Sequence, residues 1–245
     1  PQGVTLPLIK TRAIDDVPVL GLTLWSDQYN DYTLRQIGES LTNEIKKIND
    51  VAAVNLLGGR SRQVQVVLDK DKMAGSGLDF LKISRMLQGS NVQQHSGYLT
   101  RSDTSFAVQT GNFLYNAEDV GNLVVGMQNG QPVYLRQIAT VKDGAESPAQ
   151  YVFFGYGSAD SALIKRYKGD YPAVTLSVAK RKGADAMKVA EHIEHKLKYL
   201  KKELLPDGVQ LTTTRNYGET ASEKVSELLL HLFVAIVAVT LFVML

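Results

Sequence analysis

The sequence of 245 residues contains no cysteine, which excludes disulfide bonds, thiolate zinc sites and cysteine nucleophiles. This absence does not fix the compartment, because periplasmic and cytosolic domains alike can lack cysteine. An excess of charge is missing too, since 27 basic residues face 25 acidic ones and the net charge is +2. With no long run of like charge, the composition gives no indication of a nucleic-acid surface. The remaining composition, 44% hydrophobic and 21% charged, is that of an ordinary folded protein.

Charge is absent altogether from residues 228–245, which read LLLHLFVAIVAVTLFVML. An uncharged apolar run of about 18 residues is the usual signal of a membrane-spanning helix. The alternative is a buried core helix, but such a helix is rarely apolar on every face in a domain of this size. Pro1 is not an initiator residue, and no signal segment follows it. We therefore expect a piece of a longer membrane protein, anchored through 228–245.

A β-α-β pattern occurs twice in the rest of the sequence. In the first copy, residues 17–25 and 51–57 have the β-branched and aliphatic composition of strands. Between them, a capping-box pattern at 33–36 predicts the start of a helix. After them, Gly58-Gly59 predicts a turn into a third strand at 63–68. The apolar residues of the predicted helix are spaced by three and four, namely Leu34, Ile37, Leu41, Ile45 and Ile48.

The second copy repeats this order further along the chain. Residues 171–178 match 17–24 in pattern, with Pro172 in the place of Pro18. A strand at 209–214 ends the copy, and between the strands lies a long amphipathic helix with Met187, Ala190, Ile193, Leu197, Leu200 and Leu204 in phase. Two such units bury both helices when they pair into one sheet. The sequence therefore predicts an α+β fold with a ferredoxin-like subdomain whose helices cover one face.

Residues 70–142, between the two copies, differ in character and predict an inserted α+β subdomain. Its predicted elements are a cap at 76–79, a short helix with Phe80, Ile83 and Leu87 on one side, a strand pair at 95–112, a helix at 118–125 capped by Asn116, a turn at Asn129-Gly130 and a strand at 133–141. After the insert we expect a strand at 151–154 and irregular structure at 155–170.

No constellation of catalytic residues stands out in the sequence. His192 and His195 lie three residues apart on the second long helix, a spacing that permits metal ligation. Lysines surround them, so a solvated charged face is the better interpretation. The five methionines are dispersed and form no soft-metal cluster. We therefore predict no catalytic residue, no metal site and no cofactor, and a protein that is not an enzyme.

Several ordered segments are shared with a known family. They are VAAVNLLG at 51–58, VQVVLD at 64–69, GLDF at 77–80, LQGSN at 87–91, NGQPVYLRQIA at 129–139, KGADA at 182–186 and LPDGV at 205–209. In order and spacing, over nearly the whole chain, they resemble the resistance–nodulation–division (RND) exporters, especially the AcrB-like hydrophobe/amphiphile branch.

The resemblance implies a fragment of the first periplasmic loop, divided into porter and docking subdomains. The implied parts are the tail of the first porter subdomain at 1–16, the two halves of the second porter subdomain at 17–69 and 143–215, the docking subdomain at 70–142, and a connecting helix with the start of the second transmembrane helix at 216–245. The loop within 95–112 is shorter than the long intersubunit arm of AcrB-type pumps.

The resemblance also implies that the second porter subdomain lines a substrate pocket. Position by position it assigns Leu57, Ser147 and Gln150 to substrate binding, with Asp16 near a further pocket position. Leu57 and Asp16 stand where AcrB-type pumps carry aromatic residues. A smaller or more polar substrate is therefore expected.

The implied function is that of a proton-driven efflux pump of the bacterial inner membrane, which exports hydrophobic or amphiphilic compounds as part of a tripartite system. The implied partners are two further copies in a homotrimer, a periplasmic membrane-fusion (adaptor) protein, an outer-membrane channel, the lipid bilayer and small-molecule substrates, with no nucleic acid. The alternatives are a membrane-anchored periplasmic ligand-sensing domain and an RND relative that exports metal ions or lipids. A metal exporter would be favoured by clustered methionines, which this chain lacks.

Overall fold

The computed structural model describes residues 17–92, 94–101, 104–110 and 113–244. The chain divides into two compact units. The first unit combines Pro1–Ser61 with Ser147–Leu245, and the second is the intervening segment Arg62–Glu146. The second unit therefore interrupts the first in sequence, as the repeated pattern predicts.

The helices and strands alternate along most of the chain. In chain order they are β1 (Pro18–Ser26), α1 (Asp31–Ile45), β2 (Val51–Leu57), β3 (Arg62–Leu68), α2 (Lys70–Gly75), α3 (Phe80–Ser90), β4 (Gln94–Arg101), β5 (Thr104–Thr110), α4 (Ala117–Gly121), β6 (Val124–Gln128), β7 (Gln131–Tyr134), α5 (Leu135–Ile138), β8 (Ala139–Ala145), β9 (Phe153–Phe154), α6 (Ser161–Arg166), β10 (Tyr171–Lys180), α7 (Ala186–Leu204), β11 (Val209–Asn216) and α8 (Tyr217–Met244).

The first unit is built on an antiparallel sheet with the strand order β11-β1-β10-β2, to which β9 adds at the start of β10. The two outer strands of this order each complete a β-α-β unit, so the two predicted copies interlock in one sheet. This is the split ferredoxin-like arrangement. The α+β fold class predicted from the sequence is confirmed.

Helices α1 and α7 pack on one face of this sheet and share a single apolar core with it. From α1, Leu34, Leu41 and Ile45 are buried, and from α7, Ile193 and Leu197 are buried. Both helices were predicted with these residues on the apolar side, so that prediction is confirmed. On the sheet, the strand residues that face the helices alternate with residues that face away, because successive side chains of a strand point to opposite faces.

The start of α1 differs from the predicted capping box at 33–36. The helix begins at Asp31, and the side chain of Asn30 caps it by accepting a hydrogen bond from the backbone of Thr33 at 2.9 Å. Asn30 thus has the capping role that was predicted for Thr33, about one turn earlier in the chain. The prediction placed the helix start too late because it read the first Thr-x-x-Gln pattern as the cap.

The second unit has its own apolar core and pairs its strands as β3-β8, β4-β5 and β6-β7. Strand β3 was predicted to follow β2 through a Gly58-Gly59 hairpin, but the two strands are not paired. Instead Val64 and Val66 pack against the second core. The division between the units falls at 61/62 and 146/147, outside the predicted limits of 70 and 142. The shift arises because β3 and β8, at the two ends of the second unit, pair with each other.

Three further predictions for the middle of the chain need correction. The strand predicted at 133–141 is interrupted, because Leu135 and Ile138 turn inward as the buried residues of the short helix α5. Phe80, predicted on the apolar side of α3 with Ile83, is 59% exposed, since it is the first residue of the helix and no preceding turn covers it. The segment predicted as irregular at 155–170 contains the helix α6.

Helix α8 runs without a break from the end of β11 through the uncharged segment. Over its described residues it is long and apolar enough to cross a membrane, and its apolar stretch is not buried against the rest of the chain. A core helix would be covered by other elements. The continuous helix predicted from 216 onward is confirmed.

Candidate functional site

The sheet of the first unit has a second face, opposite α1 and α7, that is rich in hydroxyl groups. We call it the outer face. The strand register and the alternation of side chains place on it Thr23 and Trp25 of β1, Thr175 and Ser177 of β10, Asn55 and Leu57 of β2, and Thr212 and Thr214 of β11. A face with so many hydrogen-bonding groups differs sharply from the aliphatic face under the helices.

The hydroxyl groups of the outer face bond to one another across the strands. The Thr23 hydroxyl lies 2.9 Å from that of Thr175 and 3.3 Å from that of Thr214. On the neighbouring strand pair, the indole N–H of Trp25 donates to the hydroxyl of Thr212 at 2.9 Å. These bonds fix the side-chain positions, since a buried polar group costs free energy unless it is paired.

One end of the outer face carries an aromatic cluster, consisting of Trp25, Phe154, Tyr156, Tyr167 and Tyr171. The indole ring of Trp25 stacks on Phe154, with ring centroids 4.9 Å apart, and meets Tyr167 edge-on at the same distance. Tyr156 and Tyr167 stack at 5.8 Å. Trp25 is buried beneath the others, whereas the three tyrosines and Phe154 keep part of their rings in contact with solvent.

The cluster depends on the segment between β9 and β10. The pairing of Phe154 with Tyr171 brings both rings to the outer face beside Trp25. Helix α6, capped by Asp160, then returns the chain so that Tyr167 covers the indole. Aromatic pairs of this geometry add about 0.5–1.5 kcal/mol each beyond their area burial. A set of partly exposed rings next to hydroxyl groups can bind a planar or amphiphilic molecule.

The sequence did not identify this cluster. Trp25 was treated only as the end of a strand, and 155–170 as irregular structure. A usable signal was present, because Tyr151, Phe153, Phe154, Tyr156, Tyr167 and Tyr171 fall within a stretch of 21 residues in a chain with 8% aromatic residues. Their assembly depends on strand pairing between distant segments, which periodicity does not reveal.

The three residues assigned to substrate binding do not meet at one place. Leu57 lies on the outer face opposite Thr175 and is half exposed. Gln150 lines a cavity on the other side of the sheet, described below. Ser147 is exposed at the start of the second segment of this unit. Asp16 lies outside the described residues.

The cavity, which we call the α1 cavity, opens at the N-terminus of α1 on the helix side of the sheet. Its volume is about 340 Å³, within the usual range of small-molecule sites. The residues that give it chemical character are Asn30, Asp31, Arg60, Gln150, Tyr151 and Phe153. Phe153 pairs with Pro172 on the helix side, whereas its neighbour Phe154 joins the aromatic cluster on the outer face. The two sites are therefore back to back.

An ion pair closes one side of the α1 cavity. Arg60 donates through Nε and Nη2 to both carboxylate oxygens of Asp31, at 2.7–3.1 Å. These hydrogen bonds, together with the guanidinium charge, lower the pKa of Asp31 below its ordinary value despite an opposing contribution from burial. Arg35 supports the same turn by donating to the carbonyl oxygens of Gly58 and Gly59.

The lowered pKa of Asp31 predicts a pH-dependent contribution to stability. The contribution is fully present above the unfolded-state pKa of about 4 and is lost as the pH falls through the lower folded-state value. Asp31→Asn is therefore expected to lower the free energy of local opening around 58–61 by about 1 kcal/mol at pH 7. Hydrogen exchange of these backbone amides should be correspondingly faster. The difference in exchange rate between Asp31→Asn and the original protein should become smaller towards pH 3. Exposed Asp27→Asn is the control, and an effect that did not diminish in acid would contradict the prediction.

The start of α8 packs closely against α7. Gly218, in the first turn of α8, lies against α7 with no room for a side chain. An added Cβ would stand 2.8 Å from the Ala186 carbonyl oxygen and 2.8 Å from the Ala190 Cβ. Asn216 adds two hydrogen bonds, donating to Glu194 on α7 and accepting from the backbone of Glu219. The first turn of α8 is thus held directly on the helix layer of the first unit.

The candidate metal ligands do not come together in the part of the chain that the structure describes. No group of three or more histidine, aspartate or glutamate side chains is arranged there to hold a metal ion. His192 and His195 both lie on α7 and are not part of such a group. The Met86 side chain packs against the second core, and Met127 is 65% exposed in β6.

These observations describe an α+β domain with an interrupting second unit and a C-terminal helix that is long and apolar enough to cross a membrane. The sequence model of the AcrB/AcrD/AcrF family matches residues 1–245, so the chain belongs to this family of RND transporters. The resemblance noted from the ordered segments is confirmed. Family membership and α8 together make the chain part of a membrane transport protein.

A curated relative is the "Cation efflux system protein CusA" of Escherichia coli (strain K12). It is 28% identical to this chain over 203 residues, which cover 81% of the chain and 18% of CusA. The match thus spans less than a fifth of the length of this relative.

Proposed function

We propose that this chain is the periplasmic porter and docking segment of a proton-driven RND pump in the bacterial inner membrane, and that the pump exports hydrophobic or amphiphilic compounds. The observation that carries the proposal is the outer face, where a platform of aromatic rings borders an array of hydroxyl groups. An amphiphile has an apolar body that can stack on such rings and polar groups that can bond to such hydroxyls.

The expected loss of stacking capacity at Leu57 and Asp16 does not argue against this substrate class. Leu57 is aliphatic, but Tyr156, Tyr167 and Phe154 supply partly exposed rings at the end of the same face. The rings come from a different segment of the chain from the one the family pattern suggested. We infer that a larger, apolar substrate is compatible with this face, in addition to the smaller or more polar one.

Export of metal ions is the second candidate, because CusA is named as a cation efflux protein. Soft cations such as Cu⁺ are held by thiolate and thioether ligands, and imidazole suits harder transition metals. The outer face offers hydroxyl groups and rings, and the chain has no cysteine. The side chains of this segment therefore favour the organic substrate over the cation.

Membership of the family supports a wider assembly. We propose a homotrimer that works with a periplasmic adaptor protein and an outer-membrane channel, with residues up to about 225 in the periplasm and α8 entering the bilayer. The pump works by conformational change, without covalent chemistry or a cofactor in this segment. The rigid contact of α8 with α7 suits the transmission of movement between membrane and porter. A single-span sensor domain, the other alternative raised by the sequence, has no support from the family match.

The test is the susceptibility of an efflux-deficient bacterial host that expresses the full-length gene. Expression is expected to raise the tolerated concentration of amphiphilic dyes and detergents, and to leave tolerance of copper and silver ions unchanged. Tyr156→Ala with Tyr167→Ala should remove most of the gain, whereas Tyr199→Ala, an exposed ring on α7, should not. Unchanged susceptibility to every amphiphile despite verified expression would contradict the proposal, and a gain for metal ions alone would favour the second candidate.

A further inference from the structure

The α1 cavity contains two aromatic rings that the fold leaves uncovered. Tyr151 and Phe153 are 67% and 61% exposed, and their rings are parallel, with centroids 6.3 Å apart. A single exposed ring on a protein surface needs no explanation. Two adjacent rings that line a concave site together with Pro148 and Pro172 provide an apolar wall for a ligand.

Arg60 supplies a positioned donor beside these rings. Its Nε and Nη2 are occupied by Asp31, which orients the guanidinium plane. Among the described residues, no acceptor is assigned to its Nη1 group. The negative charge of Asp31 is offset by the Arg60 guanidinium that it contacts, which weakens its attraction for a ligand amine. The free hydrogen-bonding capacity of the pair is therefore that of a donor.

The charges around the cavity tolerate an anion. Arg60 is balanced by Asp31, and Arg35 is balanced by Glu39 one turn along α1. The N-terminus of α1 adds the partial positive charge of a helix end, equivalent to roughly half an elementary charge. The remaining polar side chains at the cavity, Asn30 and Gln150, are uncharged. The net charge around the α1 cavity is therefore slightly positive.

The cavity walls are fixed before any ligand arrives. Val152, between the two rings, accepts a hydrogen bond from the backbone of Ala173 at 2.9 Å. Gly58 and Gly59 both have positive φ, and an added Cβ on Gly58 would stand 2.5 Å from Val152. The Gly58-Gly59 turn is thus packed closely against Val152 of the aromatic segment. A preformed site loses less conformational entropy on binding.

We propose that the α1 cavity binds a small aromatic carboxylate, whose ring packs on Tyr151 and Phe153 and whose carboxylate accepts hydrogen bonds from Arg60. The ligand lies on the helix side of the sheet and leaves the outer face free. It is therefore a second site, independent of the proposed export of amphiphiles.

The test measures binding of 4-fluorobenzoate to the purified full-length transporter in nanodiscs by ¹⁹F NMR. Saturable binding is expected, and the neutral 4-fluorobenzyl alcohol should bind several-fold more weakly, since hydrogen bonds to ionised groups are roughly twice as strong as neutral ones. Tyr151→Ala should weaken binding of the carboxylate roughly 3- to 10-fold through the lost ring contact. Tyr199→Ala, which removes an exposed ring elsewhere on the same unit, should leave affinity unchanged.

Arg60→Lys separates the carboxylate contact from the ring contact. Lysine keeps the charge but cannot hold Asp31 and a carboxylate in one planar fork, so the preference for 4-fluorobenzoate over the alcohol should weaken several-fold. Because Tyr151 is exposed, its variant is informative even if Arg60→Lys disturbs the turn. Absence of saturable binding, equal affinity for the acid and the alcohol in the original protein, or unchanged affinity in Tyr151→Ala would overturn the proposal. None of these results depends on transport.

Discussion

Trp25→Ala is expected to destabilise the first unit by about 3–5 kcal/mol, the usual cost of truncating a buried large aromatic side chain. Trp25 is only 1% exposed and contacts Phe154, Tyr167 and Tyr171. Its loss leaves a cavity under the aromatic cluster and removes the partner of Thr212. The measurement is hydrogen exchange of peptides from β1 and β10 in the full-length transporter, which should approach the rate of peptides in mobile loops.

Trp25→Phe is the matched control for the same position. Phenylalanine keeps a ring against Phe154 and loses the indole N–H, so the expected cost is about 1–2 kcal/mol, from one hydrogen bond and a smaller ring. Peptides of the second unit, which has a separate core, should exchange at their original rates in both variants. Equal effects of the alanine and phenylalanine variants would show that the ring contacts contribute little.

Gly218→Val is expected to reduce transport at least tenfold while the protein still reaches the membrane. The valine Cβ would meet the Ala186 carbonyl oxygen and the Ala190 Cβ at 2.8 Å, and the Cα of Met187 at 3.1 Å. None of these atoms is the far end of a flexible side chain, so α8 must move away from α7. Overpacking of this kind costs about 1–3 kcal/mol. On the proposed role of α8, the displaced helix would transmit less movement between the sheet and the bilayer.

Ala221→Val, one turn further along α8, is the control for Gly218→Val. Ala221 is exposed, so the same β-branched side chain adds no clash there. Efflux of an amphiphilic dye, normalised to the amount of transporter in the membrane, should be near the original value in this variant. Efflux in Gly218→Val equal to that in Ala221→Val would contradict a coupling role for the helix contact.

Much of the first unit was predictable from local patterns. The apolar spacing in α1 and α7 fixed which side of each helix is buried, because only one face can reach the sheet. The repeated strand pattern, with Pro18 and Pro172 in matching places, then predicted how two β-α-β copies share one sheet. The uncharged segment predicted the apolar part of α8, because a long apolar run can be recognised from the sequence without knowledge of what the helix packs against.

The limits of the second unit were less predictable because they depend on pairing. The residues of β3 have a strand pattern whichever sheet they join. The Gly58-Gly59 turn suggested a hairpin, yet the positive φ of both glycines instead carries the chain past Val152 and away from β2. Strand β3 instead pairs with β8, which lies at the other end of the second unit in sequence.

The candidate sites were the least predictable features. The resemblance assigned Leu57 and Gln150 together to substrate binding, but the two residues lie on opposite sides of the sheet. The aromatic cluster and the α1 cavity both arise because Phe153 and Phe154, neighbours in sequence, point to opposite faces. Such a division requires knowledge of the register, which is set by contacts between β9 and β10 rather than by local sequence.

The most direct test of the account is whether the exported molecule touches the outer face. Since this chain has no cysteine, Ser177→Cys on the outer face and Tyr199→Cys on α7 can be introduced after replacement of any cysteines elsewhere in the transporter. The rate of maleimide labelling is then measured in cells, with and without an amphiphile to which the transporter confers resistance. The account predicts that the amphiphile slows labelling several-fold at residue 177 and leaves residue 199 unaffected. Equal labelling rates at residue 177 with and without the amphiphile would contradict it.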